Sequence, residues 1–92
     1  MKVKEQFIDT KTLMKAKDGH QFLEILYELQ YAFVVRNGCQ ANHIFLSVPV
    51  QNKLLTVFIS YISYITPVTG KREIMGLTIM TSPDDTNFVA LL

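Results

Sequence analysis

Few side chains in this sequence are suited to acid–base, nucleophilic or metal chemistry: His20, His43, Cys39 and the adjacent Asp84 and Asp85. His20 and Glu24 have the i, i+4 spacing that sets two ligands on one helix face. With two histidines and one cysteine in the chain, however, a zinc site would have to be completed by scattered carboxylates. The plainer account is two solvated neighbours. Cys39 and His43 are the residue types of a nucleophile and its base, yet no third group is placed to orient the imidazole. Asp84 and Asp85 are the types that hold a cation or work as paired acids. Within Ser82-Pro83-Asp84-Asp85 they read first as turn residues, with proline suited to the second turn position. The four glycines are isolated and none precedes a Lys-Ser/Thr pair, so there is no phosphate-binding loop. We therefore assign no catalytic, cofactor-binding or metal-binding residue and expect neither an enzyme nor a cofactor. A small enzyme sharing a site across an oligomer is kept as an alternative, with His20, His43 and Asp84 as the residues to test.

Binding residues are easier to nominate. Tyr27, Tyr31, Tyr61 and Tyr64 combine large apolar area with a polar tip, the combination enriched at protein interfaces. Lys2, Lys4, Lys11, Lys15 and Lys17 crowd the first 17 residues, and Lys71 and Arg72 stand together later. They form the alternative, a nucleic-acid-binding accessory protein whose affinity would fall steeply with salt. The bland account of the lysines is a solvated chain end.

Composition narrows the field. The 92 residues predict a single domain, 1–92, with residues 1–9 as a lead-in, and 49% apolar residues suffice for a small core. A net charge of +1 is not that of a general nucleic-acid binder. One cysteine makes no internal disulfide, which points to a reducing compartment and a cytoplasmic protein. MKVKEQFIDTK has no apolar stretch of the secretory-signal kind. Residues 54–70 carry no formal charge, but Thr56, Ser60, Ser63 and Thr66 interrupt them, and they fall short of the ~20 apolar residues of a membrane span.

The elements that must position these residues follow from spacing. Thr10–Lys17 has room for one or two helical turns with Leu13 and Met14 inward. Asp18 followed by Gln21 is a capping-box pattern and opens a long helix. Phe22, Ile25, Leu26, Leu29, Ala32 and Phe33 share one face of it, Leu23, Tyr27 and Val34 flank that face, and Glu24, Glu28 and Tyr31 lie on the wetter side. Gly38 ends it in the left-handed conformation. Tyr31–Val35 is locally strand-like, so a hairpin with residues 43–48 is the alternative there. His43–Leu46 is a buried strand. Ser47 then caps a second helix with Pro49 in its first turn. The polar residues Asn52, Thr56, Ser60 and Ser63 recur at helical spacing, which carries this helix to Ile65 and a stop at Thr66-Pro67. β-propensity offers a rival strand from Leu54 to Ile65. Val68–Lys71 turns the chain, and Glu73–Thr81 reads as one strand through Gly76, a glycine that marks a bulge or a close backbone contact. Asn87–Leu92 is a closing strand antiparallel to the one before. The order helix, strand, helix, strand, strand predicts an α+β fold of two layers: two main helices on a small sheet of about three strands. The helices' apolar arcs are wider than three short strands can cover, so a homo-oligomer is expected.

The helix ended by Gly38, the strand Ile44-Phe45-Leu46-Ser47, the helix start at Pro49 and the stretch Gly76-Leu-Thr-Ile-Met-Thr-Ser-Pro83 together resemble the central axial-domain segment of tailed-phage major capsid proteins and encapsulins. The resemblance covers roughly residues 20–92 at the level of pattern. The family tends to have Asn-Pro where this chain has Ser47-Val48-Pro49, and 92 residues leave no room for a capsid subunit's long arm, extended loop and spine helix. The resemblance implies a small phage or mobile-element protein, cytoplasmic or virion-associated, with a structural or accessory role. It brings no catalytic residue. The function expected is non-catalytic protein–protein association, including self-association; inhibition of a host protein would be one form of it.

Overall fold

A computed structural model of the chain describes residues 4–56, 64–65 and 72–92, with backbone pairing alone at 64 and 65. The elements are β1 (Gln6–Asp9), α1 (Thr10–Met14), α2 (Gly19–Asn37), β2 (His43–Leu46), α3 (Val48–Thr56), β3 (Tyr64–Ile65), β4 (Arg72–Ile74), β5 (Leu77–Thr81) and β6 (Thr86–Ala90). The α+β class holds, but the sheet is twice the expected size: six strands in the order β1-β6-β2-β5-β4-β3. β2 and β5 run parallel, and the other neighbours are antiparallel.

The two ends of α2 are where local chemistry puts them. Asp18 Oδ1 accepts from the Gln21 N–H at 2.9 Å, while Gln21 Oε1 reaches one residue past the usual capping-box partner to the Lys17 N–H at 2.8 Å. At the other end Gly38 has φ 73° and its N–H closes on the Val34 carbonyl at 2.8 Å. α2 is helical through Tyr31–Val35, so no hairpin forms there. Leu13 of α1, Phe22, Leu26, Leu29 and Phe33 of α2, and Val50 and Leu54 of α3 pack into one cluster with Ile44, Leu46, Ile74, Leu77 and Val89. The helices thus share one face of the sheet and every second strand residue points into it. Met14, expected inward with Leu13, is exposed.

Four further expectations are corrected. Residues 6–9 of the lead-in form the edge strand β1, paired with β6 from Gln6 opposite Val89 to Asp9 opposite Thr86. Gly76 is a hairpin turn and not a bulge: Met75 and Gly76 both have positive φ, 51° and 75°, and Ile74 pairs directly with Leu77. The closing strand β6 lies beside β2 and β1, with β2 separating it from β5. The helix after Ser47 is present through Thr56, which overturns the rival strand at Leu54–Thr56. The helix does not reach Ile65, because Tyr64 and Ile65 pair antiparallel with Glu73 and Arg72. Tyr and Ile are residue types that favour a strand, and at these two positions the ladder with β4 replaces the helix; residues 57–63, Ser60 and Ser63 among them, lie outside the described residues. The turn predicted at Val68–Lys71 lies outside the described residues.

Because β2 stands between β5 and β6, the loop Ser82–Asp85 arches over the end of β2, where the chain leaves for α3. The first bond of α3 runs from the Gln51 N–H to the Ser47 carbonyl at 3.0 Å. The Ser47 hydroxyl, expected to cap this helix, is turned elsewhere. Thr10 Oγ1 receives an Asn87 Nδ2 proton at 2.9 Å and gives its own to Asp85 Oδ1 at 3.0 Å. The 2.9 Å contact between Thr10 and Ser47 therefore uses the Ser47 proton.

Candidate interaction surface

The uncovered face of the sheet is built by strand alternation. Once Ile8, Ile44, Val89 and Ile79 point to the helices, Phe7, Phe45, Phe88 and Met80 must point the other way. Register then puts them in a single row across four strands: Phe7 opposite Phe88, Phe88 opposite Phe45, and Phe45 opposite Met80. The Phe45 and Phe88 rings stack at 4.6 Å with 13° between planes; Phe7 and Phe88 lie 5.0 Å apart at 43°. Phe7 is 54% exposed and Met80 37%, with Phe45 and Phe88 half-buried between them. A parallel row holds Ala90, His43, Thr78 and Glu73, each opposite the next.

Among the described strand residues the charges on this face are Asp9 and Glu73, whereas Arg72 occupies an alternate position; Lys4 and Glu5 precede β1, and Lys11 and Lys15 follow on α1. Asp9 caps α1 through the Thr12 N–H at 2.8 Å. Its carboxyl is held below the usual range, chiefly by the Thr12 side chain and then its N–H, with smaller help from Lys15 and Lys11.

The tyrosines nominated from sequence fall elsewhere. Tyr27 and Tyr31 are 65% and 63% exposed on the outer side of α2, the far layer from the sheet face. With Gln30, Val34 and Gln40 they line a shallow groove of about 190 Å³. Gln30 is tied to the backbone of Ala41 by two bonds of 3.1 Å, which fixes the groove floor. Tyr61 lies outside the described residues; Tyr64 pairs in β3 opposite Glu73, and only its backbone is described. The structure therefore brings together two of the four.

Among the described residues the basic candidates do not form one patch. Lys11, Lys15 and Lys17 sit on and after α1, beside β1 at one edge of the sheet, while Arg72 is in β4, with β6, β2 and β5 between. The backbone of Lys4 is gripped by the Asn37 amide, N–H and C=O each at 2.9 Å. Lys2 and Lys71 are outside the described residues.

The residues considered for chemistry are held in other roles. His43 Nδ1 lies 2.7 Å from Asn42 Oδ1, not on Cys39, and Cys39 packs half-buried against the core. Asp84 binds the Ser82 and Thr86 hydroxyls, and Asp85 takes the Thr10 hydroxyl. These bonds, Thr86's side chain first and Ser82's next, hold the Asp84 carboxyl below its ordinary value. Among the described residues no three His, Cys, Asp or Glu side chains are grouped as metal ligands, and no helix is long and apolar enough to cross a membrane.

The phenylalanine row was absent from the sequence-based candidates, though a signal for it exists. A strand with one dry face alternates, whereas Phe7-Ile8, Ile44-Phe45-Leu46 and Phe88-Val89-Ala90 are apolar at successive positions, so both faces of those strands are apolar. Comparison with protein-family models, curated proteins and solved structures finds no match to this chain.

Proposed function

We propose that this chain is a non-catalytic protein–protein association domain that pairs with a second copy through the uncovered face of its sheet. The observation that carries the proposal is the in-register row Phe7–Phe88–Phe45–Met80, partly exposed at both ends. Contiguous exposed apolar surface of this kind marks interaction sites.

A second copy suits the face in shape and in size. Two aromatic sheet faces pack about 10 Å apart with strands nearly aligned, their side chains interdigitating. Crossing two rows at the Phe45–Phe88 pair leaves Asp9 and Glu73 toward the rim. The four strands β1, β6, β2 and β5, at ~4.8 Å spacing and with four to five residues each at ~3.4 Å, give a face of roughly 19 by 15 Å. That is below the ~800 Å² per partner of a standard interface, so the pair is reversible and concentration-dependent. Nucleic acid fits this face less well, since stacking platforms for single strands are paired with basic grooves and the strand positions here carry carboxylates. A structural or accessory role of phage type, as the sequence pattern implies, agrees with an association domain.

Sedimentation velocity over a concentration series tests the proposal. The wild-type chain should move from monomer to dimer as concentration rises. Phe7→Lys and Met80→Lys, at the two exposed ends of the row, should remain monomeric with unchanged circular dichroism. Dimers of undiminished strength in both variants would sink it, as would a wild-type chain that stays monomeric to millimolar concentration.

A further inference from the structure

We propose that Asn37–Gly38 is a deamidation site which the fold holds closed, and that reaction there unlatches the N-terminal edge strand from α2. In an asparagine–glycine pair the backbone nitrogen reaches the side-chain amide readily, because glycine has no Cβ to block the approach. The other asparagines precede bulkier residues: Asn42 precedes His43, Asn52 precedes Lys53 and Asn87 precedes Phe88.

The reaction needs only water. The Gly38 nitrogen attacks Asn37 Cγ; the N–Cγ bond forms, the Cγ–Nδ2 bond breaks, and the proton lost by the Gly38 nitrogen leaves with Nδ2 as ammonia. Water then opens the cyclic imide at one of its carbonyls. Its hydroxyl joins that carbon and its proton returns to the Gly38 nitrogen, which gives aspartate or isoaspartate. Nothing is oxidised or reduced.

Both partners of the first step are engaged in the fold. The Gly38 N–H closes on the Val34 carbonyl at 2.8 Å and so fixes Asn37, the last residue of α2, in helical geometry. Asn37 Oδ1 accepts from the Lys4 N–H at 2.9 Å, and Nδ2 donates to the Lys4 carbonyl at 2.9 Å and to the Phe33 carbonyl at 3.1 Å. Ring closure requires Asn37 to turn out of helical ψ and its side chain to leave Lys4. The rate is therefore scaled by the fraction of molecules open at this corner.

The Asn37 amide meets Lys4 as a neighbouring strand's peptide would, with one donor and one acceptor. Lys4 leads into β1, the edge strand hydrogen-bonded to β6. Aspartate at this position puts an oxygen where Nδ2 stood, so the Lys4 and Phe33 carbonyls face a carboxylate that gives them no proton. Isoaspartate also adds a methylene to the main chain at the end of α2. In either product the clasp has lost its donor half, and residues 4–9 open more often.

Mass spectrometry of the full chain, aged at mildly alkaline pH, tests the site: the peptide holding Asn37 should gain one mass unit. The gain should be on the order of tenfold faster in urea-unfolded chain than in folded chain. Lys4→Pro removes the N–H that Oδ1 accepts and leaves Asn37–Gly38 untouched. Its folded-state rate should rise severalfold while its unfolded rate stays that of wild type. Hydrogen exchange then compares modified and unmodified wild-type molecules in one aged sample, separated by mass. Amides at 4–9 should exchange severalfold faster in the modified chain, with those of β2 and β5 unchanged. No gain at Asn37 in the unfolded chain overturns the site itself. Equal rates in folded and unfolded chain, or a folded Lys4→Pro rate equal to wild type, overturn the latch. Unchanged exchange at 4–9 in the modified chain overturns the release of β1.

Discussion

The Asn87 side chain accepts the Ser47 backbone N–H at 2.8 Å, at a place where both residues are buried. Asn87 occupies a core position of β6 that alternation alone would fill with an apolar residue. Its amide instead ties together β1, β6 and the start of α3, donating to the Ile8 carbonyl at 3.3 Å and to Thr10 Oγ1 at 2.9 Å. Among the described residues no buried side-chain polar atom lacks a partner, so the polar core at this end of the sheet is fully satisfied.

Asn87→Ala leaves the Ser47 N–H buried without its acceptor and takes from Thr10 Oγ1 one of the two protons it accepts. Buried unpaired groups cost about 1–3 kcal/mol each, so we expect a loss of ~2–4 kcal/mol, read as a lower urea midpoint at unchanged slope. A loss below about half a kcal/mol would show that the network carries little stability.

Met75 is a non-glycine residue held at φ 51° in the first position of a two-residue hairpin. Asparagine tolerates that region better than an unbranched apolar side chain does. Met75→Asn should raise stability by ~0.5–1 kcal/mol. Gly76→Ala, at φ 75° with open space around the added methyl, should lower it by ~1 kcal/mol through backbone strain alone. Thermal or urea unfolding of the two variants should shift in opposite directions.

Lys53 reaches from α3 to the end of α1 and donates to the carbonyls of Met14 and Ala16, both at 2.8 Å. A cation on the last carbonyls of a helix satisfies acceptors that have no partner in the helix. Lys53→Met keeps the aliphatic stem and removes the donor. We expect a loss of ~1–2 kcal/mol, with faster amide exchange concentrated at residues 13–17.

Asp9 and Asp84 are both held below the ordinary carboxylate range, by the Thr12 bonds and by the Thr86 and Ser82 bonds respectively. A carboxylate whose folded pKa is depressed contributes stability above its unfolded value of about 3.9, and that contribution is lost as pH falls through the folded pKa. Unfolding free energy should therefore decline from about pH 4 downward. The decline should be shallower in Asp9→Asn and Asp84→Asn, each of which is less stable than wild type at neutral pH. An unchanged acid limb in both variants would remove them as its source.

Phe45→Ala tests how far the phenylalanine row serves the fold as well as the surface. The ring stacks on Phe88 and is half-buried, so its loss should cost ~1–3 kcal/mol in stability and also weaken association. Phe7→Lys should weaken association alone, since that ring is mostly in water. If the two variants lose stability equally, the distinction between buried and exposed ends of the row fails.

Much of the local structure was legible in the residues. Asp18 with Gln21, Gly38 after Asn37, the strand His43–Leu46 and the turn residues Ser82–Asp85 all act over three or four positions, so their consequences can be read without knowing the rest of the fold. Two local signals misled. Met75 masks a hairpin turn whose usual mark is Asn-Gly, and the helical spacing was carried on to Ile65, whereas Tyr64 and Ile65 pair with β4. What no stretch of sequence contained was the set of strand partners: β1 with β6 across some eighty residues, β2 parallel to β5, and β2 standing between β5 and β6. Those pairings are chosen by contacts between distant residues competing for one helix-covered face. Alternation then turns the phenylalanines to the other side, and only the register between strands lines Phe7, Phe88, Phe45 and Met80 into one surface.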